Sequence, residues 1–347
     1  MTLCYYMYTV DCSSQYQSTQ SPRTDHSIIN SSLGSPAASR STTALLAKQT
    51  GGRCLSVQYR LAPQNPFPAA LLDLFITYLS LLYPLPGSLH TPISPSSIVF
   101  TGDSSGANLC LSLLQVILFL RRQRCTSDQL VLWNGQQVPV PLPAGLALIS
   151  PWVDQARALP SWLSDREYDL YPSGPPRATM PDFPSCAAWP SDPPRGDLYC
   201  DLSALCHPIV SPTAATDWSG APPLLFICGE ERAADSSKVI AQRAFDQGVS
   251  VVWEQYEGMP HIFMQLMGKL PHSRMSMERW ASFCVDCVAG VKVGSCGTFV
   301  EVETLQRREA KMSNLTDLTV EEAVCRMQAQ RATRKVWYGP TKKKPNL

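Results

Sequence analysis

The stretch SSIVFTGDSSGANLCLSLL, residues 96–114, contains a serine whose spacing suggests chemistry. Gly102 and Gly106 flank Ser104 at equal distance, in the pattern Gly-x-Ser-x-Gly. A sharp turn from a strand into a helix crowds the backbone, so the positions two before and two after its apex must lack bulk. Ser104 would then stand above the sheet edge as a nucleophile, and the Ser105 N–H at a helix N-terminus would donate to an anionic oxygen. The string also suits a turn that uses Gly and Ser only for turning.

A serine nucleophile needs a base, and a histidine base needs an acid that fixes its tautomer and stabilises its charged form. Of the five histidines, His261 comes directly after the last predicted strand. Ligands bind at that edge of open α/β sheets, so we expect His261 to be the base. The alternative is a loop histidine that caps the next helix.

The acid should come from the loop after the preceding strand. There the segment CGEERAAD offers Glu230, Glu231 and Asp235, and each of these carboxylates could instead be solvated near a helix start. The order serine, acid, histidine along the chain is the order of α/β hydrolases and not that of other serine hydrolases.

Apolar strands alternate with helical patterns around these residues. This alternation predicts a parallel, doubly wound α/β sheet flanked by helices. We predict helices over about 41–49, 69–82 and 105–120 and a fourth within SKVIAQRAFDQG. We predict buried strands over 53–59 and 98–100 and within AGLALISPWVD, PPLLFICGEE and VSVVWEQYEGMPH. The strand within VSVVWEQYEGMPH is expected to be the last one in the chain.

Composition excludes several classes of protein. The 29 Lys and Arg nearly balance the 28 Asp and Glu, which leaves no electrostatic footprint for nucleic acid. The longest apolar run, residues 109–120, is too short to span a bilayer, and the N-terminus lacks the pattern of a signal peptide. We therefore expect an intracellular, cytoplasmic protein without a transmembrane segment.

The 13 cysteines lie mostly in apolar runs and are expected to be reduced core residues. Cys284 and Cys287 have the spacing of a zinc-binding pair, but no second pair follows at finger spacing, so core packing is favoured.

Taken together, several segments resemble the α/β hydrolases related to hormone-sensitive lipase, the fold-3 carboxylesterases, in their fungal type. These segments are YRLAPQNPFPAALLD, GDSSGANL, LISPWVD and EGMPHIF, and the resemblance covers about residues 34–289. It implies Ser104 as nucleophile, His261 as general base and Glu231 as acid. In the family's Asp-Pro-Leu-x-Asp string, Glu231 falls on the first Asp and Asp235, the alternative acid, on the second. It also implies that no metal or nucleotide cofactor is used.

One departure concerns the family's His-Gly-Gly loop, which supplies oxyanion donors, because this sequence contains no His-Gly pair. The segment YYMYTVDCSSQYQ stands where that strand and loop should be. We therefore expect an α/β-hydrolase fold with an incomplete N-terminal part.

The domain organisation follows from these boundaries. Residues 1–33 are expected to be an irregular or replaced N-terminus, and 34–295 the hydrolase domain with a lid-like insertion over 155–220. Residues 296–347 are expected to be a helical and basic tail, where Thr319 and Glu322 form a capping box. The lysines at 342–344 are interpreted as a solvated end rather than a targeting patch.

The expected function is hydrolysis of small to medium apolar carboxylic esters through an acyl-serine intermediate. The insertion contains three tryptophans that would form part of the lid over the site: Trp162, Trp189 and Trp218. The alternative is that these side chains belong to the hydrophobic core. The alternative, favoured by the missing oxyanion loop, is a catalytically weak or inactive ligand-binding protein on the same scaffold. The sequence is compatible with a homo-oligomer.

Overall fold

The structure, a computed structural model, describes residues 39–123, 130–164, 168–170, 186–336 and 338, together with the backbone of strand 5–9. The strands are β1 (Tyr5–Thr9), β2 (Arg53–Val57), β3 (Ile98–Asp103), β4 (Leu130–Trp133), β5 (Gln136–Pro139), β6 (Gly145–Ile149), β7 (Leu224–Gly229), β8 (Val251–Tyr256), β9 (Cys296–Val300) and β10 (Arg307–Ala310). The helices are α1 (Arg40–Thr50), α2 (Ala69–Leu82), α3 (Ser105–Arg122), α4 (Pro160–Leu163), α5 (Ala234–Asp246), α6 (Phe263–Leu266), α7 (Pro271–Val288) and α8 (Val320–Thr333).

Eight strands form one sheet in the order β10-β9-β8-β7-β6-β3-β1-β2. All neighbours are parallel except β10, which pairs antiparallel with β9. Strands β4 and β5 form a separate hairpin. The predicted α/β fold with a mostly parallel sheet flanked by helices is confirmed. Because its strands run in one direction, the carboxyl ends of β3, β6, β7 and β8 share one edge of the sheet.

Helix α3 lies at the centre of the fold and is buried over most of its length. Its polar residues Asn108, Ser112 and Gln115 are buried as well, and the Gln115 amide donates to the Asp217 carbonyl (3.3 Å). Helix α3, which follows the predicted nucleophile, therefore packs against the sheet on one side and bonds to the loop at Asp217 on the other. Among the described helices, none is both long and apolar enough to cross a membrane.

Two expectations about the sheet are wrong. Residues 53–59 were expected to form a buried strand, but β2 ends at Val57 and only Val57 in it is buried. The other four residues alternate between exposed and half-buried, because β1 is the one neighbour of β2 in the described sheet. Strand β8 was expected to be the last strand, but β9 pairs with it in parallel and β10 follows. The expected end of the hydrolase domain at residue 295 therefore lies between two paired strands, β8 and β9. Residues 296–310 of the expected C-terminal tail contain two strands of the sheet.

Helix α8 packs on the hydrolase domain. Its capping box is present: the Thr319 hydroxyl accepts the Glu322 N–H, and the Glu322 carboxylate accepts the Thr319 N–H. Val320 and Ala323 pack with Leu159 and Val239, while Met327 packs with a second cluster that includes Leu205 and Val210. The helix therefore covers the insertion (residues 155–220) and α5. The lysines at 342–344 lie outside the described residues.

This packing predicts that truncating Met327, which is fully buried, destabilises the whole domain. We expect Met327→Ala to lower the free energy of unfolding by about 2–4 kcal/mol, because it leaves a cavity between α8 and the insertion. The measurement is urea unfolding followed by circular dichroism. The matched control is Gln328→Ala on the exposed face of the same helix, with an expected change within about 0.5 kcal/mol. Equal stability of the two variants would show that α8 does not stabilise the domain.

Candidate active site

The chain turns from β3 into α3 at Ser104, which has φ 52° and ψ −119°. A non-glycine residue pays about 1–3 kcal/mol for such a conformation, and it persists only where the surroundings enforce it. Here the Ser104 N–H donates to the Ile149 carbonyl (2.9 Å), while the Ser104 carbonyl accepts the N–H groups of Asn108 and Trp152 (both 3.1 Å). Gly102 lies in β3 and Gly106 in the first turn of α3, and both are buried. The sharp turn expected from the sequence is therefore present.

The side chains of Ser104, His261 and Glu231 form one hydrogen-bonded chain. The Nε2 atom of His261 lies 2.8 Å from Ser104 Oγ, and Nδ1 lies 2.9 Å from Glu231 Oε2. A carboxylate only accepts, so Nδ1 carries the proton and Nε2 is left to accept the serine hydroxyl proton. The three residues follow β3, β8 and β7 respectively, and the parallel sheet brings them together across long stretches of sequence.

The other acidic side chains of the Glu231 loop point elsewhere. Glu230 accepts the N–H of Gly258 with Oε2 (3.1 Å). Asp235 accepts the N–H of Ser161 in α4 (2.9 Å), and its other oxygen lies 3.8 Å from Lys238 Nζ. The geometry therefore favours Glu231 over Asp235 as the acid, because the Asp235 carboxylate is engaged at the start of α4. Asp235 also does not cap α5, whose N-cap position is occupied by Ala233.

The Glu231–His261 pair is removed from water, and the Glu231 side chain is fully buried. This burial raises the pKa of Glu231 above its ordinary value, and the negative charge of Asp169 raises it further. The His261 ring and the nearby Ser150 hydroxyl oppose this shift in the Glu231 pKa, because both favour the carboxylate. The ionised form of Glu231 thus depends on these two neighbours.

Ser105 is the first residue of α3, so its N–H lies at a helix N-terminus beside Ser104, where the sequence predicted an oxyanion donor. Strand β1 pairs with β3 in a register that sets Thr9 opposite Gly102. Strand β1 therefore ends beside the turn. The expectation of a replaced oxyanion loop falls on residues 10–38, which lie outside the described residues.

Ser150 is a site residue that sequence reasoning missed. It directly follows β6, has φ 46°, donates its N–H to the Ile227 carbonyl (2.7 Å) and accepts the Ile262 N–H with Oγ (3.0 Å). One serine therefore contacts the base loop and stands beside the acid. The sequence offered one signal for Ser150, its position directly after a predicted buried strand in the segment LISPW. The structure adds that this strand, β6, pairs with β3.

The three tryptophans of the insertion are buried. Trp218 belongs to the main core. Trp162 packs against Trp152 with ring centroids 5.8 Å apart, and the Arg157 guanidinium lies over both rings. This arrangement favours the interpretation of these rings as core rather than as the lining of an open pocket.

Comparison with known proteins identifies relatives of this arrangement. A family profile described as alpha/beta hydrolase fold matches residues 31–265. An acetyl-hydrolase of Streptomyces hygroscopicus is 27% identical over 252 residues, which cover 72% of this chain and 71% of that protein. An esterase of Acinetobacter venetianus is also 27% identical, over 72% of this chain and 70% of its own length.

Solved structures resemble the chain in the same way. An esterase from the bacterial hormone-sensitive lipase family superposes with a TM-score of 0.58 at 25% identity, over 83% of this chain and 77% of the other. A hormone-sensitive lipase from a metagenome library gives 0.57 at 25% identity, again over 83% of this chain and 77% of its own. The resemblance to the α/β hydrolases related to hormone-sensitive lipase is thus confirmed, while the fungal type stays a prediction. The chain belongs to the α/β-hydrolase family, among the relatives of hormone-sensitive lipase.

Proposed function

We propose that this chain hydrolyses carboxylic esters through an acyl intermediate on Ser104. The observation that carries the proposal is the His261 ring, which bridges Ser104 Oγ at 2.8 Å and the Glu231 carboxylate at 2.9 Å. A base within hydrogen-bond reach activates an alcohol, and an acid behind it orients that base. The relatives named as esterase and acetyl-hydrolase support an ester with a small acyl group.

The first half of the reaction forms the acyl-enzyme. Ser104 Oγ attacks the ester carbonyl carbon while its proton passes to His261 Nε2, and the Glu231 carboxylate stabilises the imidazolium. The carbonyl oxygen becomes an oxyanion, and the Ser105 N–H is the donor that we assign to it. When the tetrahedral intermediate collapses, Nε2 returns the proton to the alkoxide, which leaves as an alcohol, and the acyl group stays on Ser104.

The second half restores the enzyme. Water attacks the acyl carbon and loses a proton to His261 Nε2, and collapse of the second intermediate breaks the bond to Oγ. The proton returns to Ser104 and the acid product leaves. One oxyanion donor lowers the activation barrier by about 3 kcal/mol, on the order of a hundredfold to a thousandfold in rate. The turnover rate therefore depends on which further donors act together with the Ser105 N–H.

Gly229 permits the approach of the His261 loop to the acid strand. It ends β7, and a Cβ atom built on it would lie 2.2 Å from the Met259 carbonyl oxygen and 2.8 Å from that of Pro260. Such contacts are too short for any side chain. His261 therefore reaches Glu231 because the residue at this crossing has no side chain.

Ser104→Ala removes the attacking oxygen and should lower kcat/KM for an ester by about a thousandfold or more. The measurement is turnover of a short-chain aryl ester, together with labelling by a fluorophosphonate, which reacts only with an activated serine. An unchanged circular dichroism spectrum controls for folding. Labelling that survives the substitution would refute Ser104 as nucleophile. Absence of both turnover and labelling in the unmodified chain would favour the ligand-binding alternative.

A paired substitution tests the acid. Glu231→Gln removes the charge that stabilises the imidazolium and should lower kcat/KM by about a thousandfold. Asp235→Asn should leave kcat/KM within about threefold, because Asp235 is engaged with α4 rather than with His261. A larger loss in Asp235→Asn than in Glu231→Gln would contradict the assignment of the acid.

Gly229→Ala should displace the loop that carries His261 and reduce kcat/KM by at least about tenfold, since a shift of about one ångström at a base costs that much or more. Gly294→Ala is the matched control, because a Cβ there meets no atom within 4 Å in the described part of the chain and its φ lies outside the left-handed region. Equal activity of the two variants would show that the close approach at Gly229 does not position the base.

A further inference from the structure

The backbone that carries His261 is strained and is held from outside its own loop. Ile262 has φ 47°, a left-handed conformation that a β-branched side chain disfavours. Its N–H donates to Ser150 Oγ (3.0 Å), and the N–H of His261 donates to Oδ1 of Asp169 (3.0 Å). Two consecutive N–H groups are thus fixed by side chains that lie far away in sequence.

Asp169 reaches the acid loop with its other oxygen. Oδ2 accepts the N–H of Arg232 at 2.7 Å, and Arg232 directly follows Glu231. A carboxylate offers two acceptor oxygens, so this side chain can bind one donor from each loop at once, and its charge strengthens both hydrogen bonds.

We propose that Asp169 is a positioning residue: it holds the loops of Glu231 and His261 at the separation that their mutual hydrogen bond requires. This inference rests on the proposed function. It also gives the insertion a direct part in the site, because Asp169 lies between β6 and β7 and belongs to neither loop that it binds.

Neighbouring contacts fasten the same segment to the acid loop. The Tyr168 hydroxyl donates to the Glu230 carbonyl (2.8 Å). In the opposite direction, the Arg232 guanidinium donates to the carbonyls of Trp162 (3.1 Å) and Ser164 (2.6 Å). The described residues that precede Asp169 are therefore bound to the acid loop by these three hydrogen bonds.

The charged groups around the pair decide how a change at Asp169 is detected. In the described part of the chain, the charges that act on the Glu231 carboxyl are those of His261 and Asp169. Glu230 faces Gly258, and the Arg232 guanidinium faces the insertion. The buried Cys228 thiol, whose pKa burial and Glu231 raise, stays neutral. Removing the Asp169 charge should thus lower the pH at which the coupled pair takes up a proton.

The test compares Asp169→Asn, which keeps the shape and one acceptor, with the unmodified chain. Three quantities are measured: kcat and KM for a short-chain aryl ester, the acid limb of the kcat/KM profile, and the His261 titration followed by NMR and assigned with His261→Gln. We expect kcat to fall about tenfold or more with KM within about twofold. The acid limb and the titration midpoint should both move to lower pH by about half a unit.

Two further variants control for the location of the carboxylate and for its charge. Asp201→Asn removes a carboxylate that accepts a backbone N–H elsewhere in the insertion, from Ser203 (2.8 Å), and should change neither kcat nor the midpoint. Asp169→Glu keeps the charge and should return the midpoint toward that of the unmodified chain.

An unmoved midpoint and an unchanged kcat in Asp169→Asn would overturn the inference. So would a loss of kcat with no shift in midpoint, or an equal effect of Asp201→Asn, since either would mean a general structural role. If the unmodified chain shows no ester turnover, the proposed function fails and the NMR signal of the His261 Nδ1 proton, which lies in the hydrogen bond to Glu231, decides. Its loss in Asp169→Asn but not in Asp201→Asn supports the inference, and its retention in Asp169→Asn refutes it.

Discussion

The strained turn at Ser104 is the constraint on which the site depends. Its positive φ is maintained by hydrogen bonds that reach three places: the end of β6 at Ile149, the following loop at Trp152, and the first turn of α3 at Asn108. A conformation that costs about 1–3 kcal/mol is stable here because the sheet and a buried helix enclose it. The bond to Ile149 fixes the end of β6 beside Ser104, and Ser150 is the next residue along the chain.

The parallel sheet converts this local turn into a reactive arrangement. Strands β3, β7 and β8 lie near one another in the sheet and end at the same edge, so three short loops meet there. Positive φ values occur at Ser104 after β3, at Ser150 after the neighbouring β6 and at Ile262 after β8. Backbone carbonyls accept the N–H groups of the two serines, and Ser150 Oγ accepts that of Ile262. Strained backbone and close approach thus occur together at the site, while the interior strands β3, β6, β7 and β8 around it are buried.

Local patterns predict much of this fold. The bounds of α2 agree with the apolar run from Ala69 to Leu82, and Gly-x-Ser-x-Gly locates the turn at Ser104. The burial of β2 was misjudged because apolar composition does not reveal which strand stands at an edge of the described sheet. Strands β9 and β10 were missed because they are short and one is highly charged, so their pairing with β8 stabilises them more than their own propensity does.

The site was predictable only in part, for a related reason. Chain order and the family resemblance pointed to Ser104, Glu231 and His261, which the structure brings into one hydrogen-bonded chain. Asp235 could be set aside only from its bond to Ser161, a residue 74 positions away. Ser150 and Asp169 carry no motif, because side chains that hold distant backbone groups are specified by the folded arrangement rather than by spacing.

The central claim is that Ser104 Oγ is the atom that the acyl group occupies during turnover. Its most direct test is mass spectrometry of the chain quenched in acid during hydrolysis of an acetyl ester, with the modified residue located by peptide mapping. The account predicts one acetyl group on the peptide that contains Ser104, and a larger trapped fraction when deacylation is slowed at low pH. An acetyl group on another residue, or turnover with no acyl group on Ser104, would contradict it.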